Sequence, residues 1–290
     1  MKVRRVDEDP GSRVVTIIRE FVENSPENAL ERGVEEPAWD APLVGFSEGL
    51  DPIYDRLKEN IGEFLWTPIE AFSLAFPQLR VDSKELSIIS WVLPQTMATK
   101  VEQRRQKAFP SQRWARARLF GEEFNNALRR HVTESLQAMG IAAVAPVLSP
   151  FWKRRESPRY GYASNWSERH AAFVSGLGTF GLSDGLITSV GKAVRVGSVV
   201  ARLAVRPTPR PYENHHAYCL FHAKGICAKC ADRCPAKAIS RTGHDKTACW
   251  TYIRQITSPY VEVNFGFKAN ACGLCQTDVP CESGIPVKPD

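Results

Sequence analysis

Thiols dominate the chemistry this chain could do. All eight of its cysteines fall after residue 218. Seven form two clusters, Cys219, Cys227, Cys230 and Cys234 followed by Cys272, Cys275 and Cys281, and Cys249 stands alone between them. Cys227-x2-Cys230-x3-Cys234, with Pro235 directly behind, has the form of the back half of the bacterial ferredoxin run. In that run a tight loop sets thiolates on the corners of one [4Fe–4S] cube, and the last Cys reaches across to a second. Eight thiolates are what two such clusters require, with none left over. Cys227 and Cys230 with Cys272 and Cys275 could instead make one tetrahedral zinc site. That arrangement leaves four thiols idle and gives Cys234-Pro235 no purpose. Disulfides need an oxidising compartment, whereas Met1 to Pro10 is charged and carries no apolar signal segment. Iron–sulfur ligation in a reducing cytoplasm is the expectation.

The elements that must position these thiols can be read in outline. With 290 residues the chain has room for one large domain and a small one. No stretch approaches the roughly 20 apolar residues a membrane span needs, so no membrane partner is expected. Leu86 to Leu93 reads as a buried strand ended by Pro94. Leu119, Phe120, Phe124, Leu128, Val132, Leu136 and Met139 recur at helical spacing up to Gly140, and Ile141 to Leu148 follows as a second buried strand. Strand, long helix, strand predicts an α/β (α+β) sheet covered by helices. Asn165 and Glu168 suggest a capping box opening a helix through Val174. The string Gly176 to Gly181 follows that helix, so it is no dinucleotide fingerprint, which needs a preceding strand. Its glycines permit close approach of backbone to something flat or large. Leu186 to Val205 is expected to be a β-hairpin turning at Gly191-Lys192, with Gly197-Ser198 in its second strand. The domains expected are an acidic N-terminal extension (1–60), an α/β domain (61–206) and a ferredoxin-like module (207–290).

Charge is unevenly spread. Residues 1–60 carry 14 acidic and 8 basic side chains, and residues 100–170 carry 14 basic and 6 acidic ones. A basic middle of this kind suits nucleic acid, an anionic cofactor or an acidic substrate, or is a solvated face.

The order of these pieces resembles the cobalamin-dependent epoxyqueuosine reductases and their relatives, the reductive dehalogenases. Ser175 to Gly181, Val196-Gly197-Ser198, the run Cys227 to Pro235, and Asp245 to Cys249 carry the resemblance, over roughly residues 85–285. It implies one cluster on Cys219, Cys227, Cys230 and Cys281, and another on Cys234, Cys249, Cys272 and Cys275. Two departures stand out. Seven residues separate Cys219 from Cys227, and Glu282 rather than Pro trails Cys281. The resemblance further implies cobalamin bound base-off against Gly176, Gly178, Thr179, Gly181, Gly197 and Ser198. An Asp-x-His-x-x-Gly ligand motif is absent, in keeping with that family.

Tyr162 occupies the slot of the family's proton donor, with Tyr160 and His170 as alternatives and Arg159 as the cation easing phenol ionisation. The expected function is a reductase fed by a low-potential donor such as ferredoxin or flavodoxin, acting on a small molecule or modified base. The alternatives are tRNA as substrate, and a corrinoid-free electron carrier. Arg4-Arg5 is followed by acid rather than an apolar stretch, so twin-arginine export is not expected.

Overall fold

A computed structural model of the chain describes residues 9–287. The segment 1–8, on which the export reading rests, lies outside them. β1 (Leu43–Glu48) and β2 (Ser87–Pro94) pair antiparallel, with Val44 opposite Trp91. β2 is buried at every position, as its unbroken apolar run requires. Its alternate side chains feed two cores, Ile89, Trp91 and Leu93 on one face and Ile88 and Val92 on the other. β3 (Ala143–Val144) is short because Pro146 opens a 3-10 turn directly after it. β4 (Arg154–Ser157) and β5 (Gly161–Ser164) form a separate hairpin, as do β6 (Gly178–Phe180) and β7 (Leu186–Thr188). β8 (Val194–Ala201) then returns between β2 and β3, giving the order β1-β2-β8-β3. β2 and β3 both run antiparallel to β8 and hence parallel to each other. The expected strand–helix–strand unit is present, with a later strand inserted into it.

Helices cover both faces of this sheet. The long helix Gln112–Ala138 starts where the Ser111 hydroxyl accepts the Trp114 N–H at 3.2 Å, and ends before Gly140 at φ +78°. Its Phe124, Leu128 and Val132 pack with Val14, Ile18 and Val22 of the helix Pro10–Asn24. Opposite them, Tyr54, Phe72, Ala171 and Phe173 come from the helices Ile53–Ile61, Pro68–Ala75 and Glu168–Val174. The acidic stretch 1–60 therefore supplies the helix Pro10–Asn24, β1 and most of the helix Ile53–Ile61 to the two cores across its described part.

Two local expectations are corrected. Leu186 to Val205 does not pair with itself, because β7 joins β6 while β8 joins β2 and β3. Nor does Glu168 close a capping box. Its carboxylate turns inward to Arg129 at 2.5 Å and accepts the Ser198 N–H at 3.0 Å.

The C-terminal module consists of short helices and one small ribbon, β9 (Ile239–Ser240) with β10 (Gly243–His244). It docks through two small cores. Val261, Ala269 and Ala271 meet Trp114, Ala115 and Ala193, and Ile239 and Val279 meet Leu182 and Ile187. Among the described residues no helix is long and apolar enough to cross a membrane.

Candidate metal centre

Each cysteine is delivered by a turn or helix end. Cys219 caps the helix Leu220–Lys224, and Cys230 lies in the one-turn helix Lys229–Asp232 with Cys234 just beyond. Cys249 lies in the helix Lys246–Tyr252, opened by Asp245, whose carboxylate accepts the N–H groups of Thr247 and Ala248 at 2.9 Å. The Cys272–Cys275 loop turns at Gly273, φ +74°. A Cβ at Gly273 would fall 1.9 Å from the Trp114 ring, so only glycine lets the loop lie against the long helix. Gln103 ties the same loop down, donating to the Cys272 carbonyl at 2.8 Å while accepting the Ser111 N–H at 2.7 Å. At the chain's far end, the Arg104 guanidinium grips the Glu282 carboxylate beside Cys281. Glu282, the departure seen in sequence, is thus the anchor of the last cysteine.

The thiols sort four and four. Cys219, Cys227, Cys230 and Cys281 line one cavity, together with Lys192 and Gly181. Cys234, Cys249, Cys272 and Cys275 line a second, of about 250 Å³. All eight are free thiols. Burial, aided by neighbouring sulfurs, pushes Cys230 up to about 11 and Cys249 and Cys272 up to about 12. Metal binding at these positions must therefore displace protons. Among the described residues no three His, Cys, Asp or Glu side chains close around a point as one metal ion requires. Four thiols spread around a cavity suit a cluster, in which each sulfur meets its own iron.

The second cavity reaches from its thiols to the long helix and β8. Arg118, Arg169 and Arg195 line it and no carboxylate does, and the rings of Trp39 and Trp114 form part of its wall. Two side-chain atoms of lining residues are buried without a hydrogen-bond partner, Gln95 Oε1 and His244 Nε2. Orphaned polar atoms beside a cationic wall suit a polar or anionic occupant. Carboxylates meet this wall from behind, Glu122 paired with Arg195 and Asp184 3.1 Å from His244 Nδ1.

The glycine-rich positions do not line this cavity. Gly178 is held against its own chain, where a Cβ would fall 2.2 Å from the Ile187 carbonyl oxygen. At Gly197 the same distance separates a Cβ from the Trp91 ring, and at Gly176 (φ +78°) the Pro209 carbonyl intrudes at 2.6 Å. Thr179 and Ser198 are fully buried, accepting the Tyr218 N–H at 2.9 Å and the Trp166 indole N–H at 3.0 Å. Only Gly181 reaches a cavity, the first. The close approach foreseen at these residues is made by the protein itself.

Tyr162 sits on β5 of the outer hairpin, 47% exposed and outside both cavity walls. Its ring lies 6.2 Å from that of Trp250, next to Cys249. Arg159 lies over the Tyr160 ring and bonds to Asn60, so the expected cation is not at Tyr162. His170 is pushed down to about 3 by burial and by the cations of Arg169 and Lys246, and stays neutral. Sequence reasoning gave no role at the thiols to Lys192, Gln103 or the Arg104–Glu282 pair, nor to Gly273 inside the Cys272–Cys275 pair.

No protein-family model and no curated protein matches the chain. Solved structures do. One is an epoxyqueuosine reductase from Bacillus subtilis, at 20% identity and a TM-score of 0.44, with 86% of this chain covering 63% of that one. An epoxyqueuosine reductase with an epoxyqueuosine-modified tRNA stem loop is similar at 19% identity and a TM-score of 0.46, over 95% of this chain and 68% of that one. A catabolic reductive dehalogenase follows at 16% and 0.47, over 84% of this chain and 30% of that one. These are the two groups its motifs resemble. The chain spans less than two thirds of the Bacillus subtilis enzyme and under a third of the dehalogenase.

Proposed function

We propose that the chain is a reductase that carries two [4Fe–4S] clusters. One is held by Cys219, Cys227, Cys230 and Cys281, the other by Cys234, Cys249, Cys272 and Cys275. Bound there, the clusters would supply single-electron transfer from a low-potential donor of the ferredoxin or flavodoxin class, and the cavity beside the second set would hold the acceptor. The observation that carries this is the sorting of cysteines from distant sequence positions into two cavities, four to each. Bound clusters supply one-electron transfer at low potential. The protein's own residues give the path a direction. The loop before Cys227 is open to solvent, with Ile226 72% exposed, and suits entry from a docked donor. The second set lies against the arginine-lined cavity, where an anionic or polar acceptor would be held.

Gly176, Gly178 and Gly197 press on their own chain, which favours the cavity beside the second thiol set over the glycine-rich string as the place for an electron acceptor. The proposed electron path therefore ends at the cavity. Its cation wall and orphaned Gln95 oxygen orient and desolvate whatever accepts the electrons. Cobalt retained through gel filtration after incubation with cobalamin would make a corrinoid that acceptor. Absence of cobalt would assign the cavity to the substrate itself.

Anaerobic reconstitution should yield about eight irons and eight sulfides per chain. Cys281→Ser should damage the site of Cys227 and Cys230, and Cys234→Ser that of Cys272 and Cys275. Lesions that follow sequence proximity instead would refute the pairing.

A second reading, tRNA as substrate, is favoured by the β4–β5 hairpin. Lys153, Arg154, Arg155 and Arg159 are exposed there. Tyr160 and Tyr162 are exposed on the same hairpin, with Arg154 4.7 Å over Trp250 and Arg159 over the Tyr160 ring. Cations interleaved with rings suit stacked bases and phosphates. Steeply salt-dependent tRNA binding, lost on reversing these charges, would support it.

A further inference from the structure

A buried ammonium ordinarily pairs with a carboxylate, since an unpaired one carries a heavy desolvation cost. Lys192 breaks that rule. It is 2% exposed, and it lines the first cavity beside Cys230 and Cys281, with no carboxylate bonded to it among the described residues. Its Nζ donates to the Ser183 hydroxyl at 3.2 Å and shares the first cavity's wall with Cys281. Ser183 in turn shares the second cavity's wall with Cys275. Lys192 lines the first cavity and Ser183 the second, so one polar thread, Cys281–Lys192–Ser183–Cys275, joins the two thiol sets.

The surroundings hold this thread in place. The Lys192 N–H donates to the Cys281 carbonyl at 2.8 Å, which fixes the root of the side chain against the last cysteine. Gly191 precedes it at φ +91°, and a Cβ there would fall 2.1 Å from the Glu282 carbonyl oxygen. The lysine stem passes beneath Gly185, where a Cβ would lie 2.8 Å from Lys192 Cδ. Two glycines and a backbone bond are thus committed to burying one cation between sulfurs.

We propose that Lys192 is the shared potential-setting cation of the two iron–sulfur sites, acting on the first through Cys281 and on the second through Ser183 and Cys275. This rests on the two-cluster reading above. A cluster with four thiolates is anionic and becomes more so when it accepts an electron. A fixed neighbouring cation stabilises the reduced form more and raises the midpoint potential, and hydrogen bonds to sulfur act in the same direction. One cation between both sites lifts both potentials together, which keeps transfer between them near balance. Lys192 is a positioning residue and touches no substrate.

The test is an anaerobic redox titration of the iron-loaded protein, followed by electron paramagnetic resonance. Lys192→Met keeps the stem and removes the charge. It should retain its iron and move both midpoints to more negative values, by at least about 60 mV, the one-electron equivalent of a ten-fold change. Ser183→Ala should move the site of Cys275 in the same direction and the other site less. Unchanged midpoints in fully loaded Lys192→Met overturn the proposal, as does a positive shift. Should Lys192→Met fail to hold iron, Ser183→Ala decides, and an unmoved Cys275 site overturns it. A parent protein that takes up no iron overturns the two-cluster reading and this inference together. A parent with its full iron and potentials insensitive to both changes overturns the inference alone.

Discussion

Glu122 gathers three guanidinium groups on one carboxylate. Arg195 bonds it directly, Arg129 lies 3.0 Å away and Arg118 3.9 Å away. Burial alone would raise its pKa, but the cations outweigh burial and hold it down to about 2. A depressed carboxyl stabilises the fold above its unfolded value near 4.5, and that contribution is lost as pH falls toward 2. The shift corresponds to at most about 3 kcal/mol. Denaturant titrations of Glu122→Gln should therefore show a clear deficit against the parent at pH 7 that shrinks steadily on acidification through this window. A deficit independent of pH would mean that the carboxylate acts by shape and not by charge. The buried Arg129–Glu168 pair works differently, because without Glu168 the buried guanidinium keeps only Glu122, which it shares with Arg195. Glu168→Gln is expected to cost about 3 kcal/mol, read as a lowered denaturation midpoint.

Helices and strands here are positioned by glycines that let the chain press on itself. Gly197→Ala would drive a methyl into the Trp91 ring, whose indole N–H holds Asn125 Oδ1 at 2.9 Å. Overpacking of this kind costs about 1–3 kcal/mol, and the loss should appear in thermal melts of protein carrying no cofactor at all. Stability that changes only when a cofactor is bound would restore a ligand-facing role to Gly197. Gly273→Ala should push the Cys272–Cys275 loop off Trp114 and halve the iron content while the main fold stays intact. β2 and the long helix were legible in sequence because their signals are local, an unbroken apolar run and a helical recurrence. The insertion of β8 was not, since strand pairing across the chain leaves no local mark. Gly176 to Gly181 was legible as close approach but not as to what. A carbonyl of Ile187 and a flat ligand ask for the same missing Cβ. The division of the thiols into two sets came from the family resemblance, whereas Lys192 behind Gly191 looked like an ordinary hairpin turn.

Across the whole molecule, the acidic beginning and the basic middle turn out to be each other's partners. Arg113 bonds Glu36 at 2.7 Å and Arg116 bonds Glu31 at 2.8 Å. Part of the charge that suggested nucleic acid is therefore paired within the molecule, while Lys153, Arg154, Arg155 and Arg159 of the β4–β5 hairpin stay exposed. The Arg104–Glu282 pair closes the molecule at its other end, and Glu282→Gln should loosen Cys281 and lower iron at the first set while sparing the second. The interleaving of the two thiol sets also constrains how the protein can be filled. Each proposed cluster draws cysteines from both sides of Cys249, so building one gathers the loops the other needs. Loading should then be concerted. In native mass spectrometry, protein given half the required iron should separate into fully charged and empty molecules, with few half-filled ones. Oxidative loss of a single cluster should release the second soon afterwards, making the module an all-or-none casualty of oxygen.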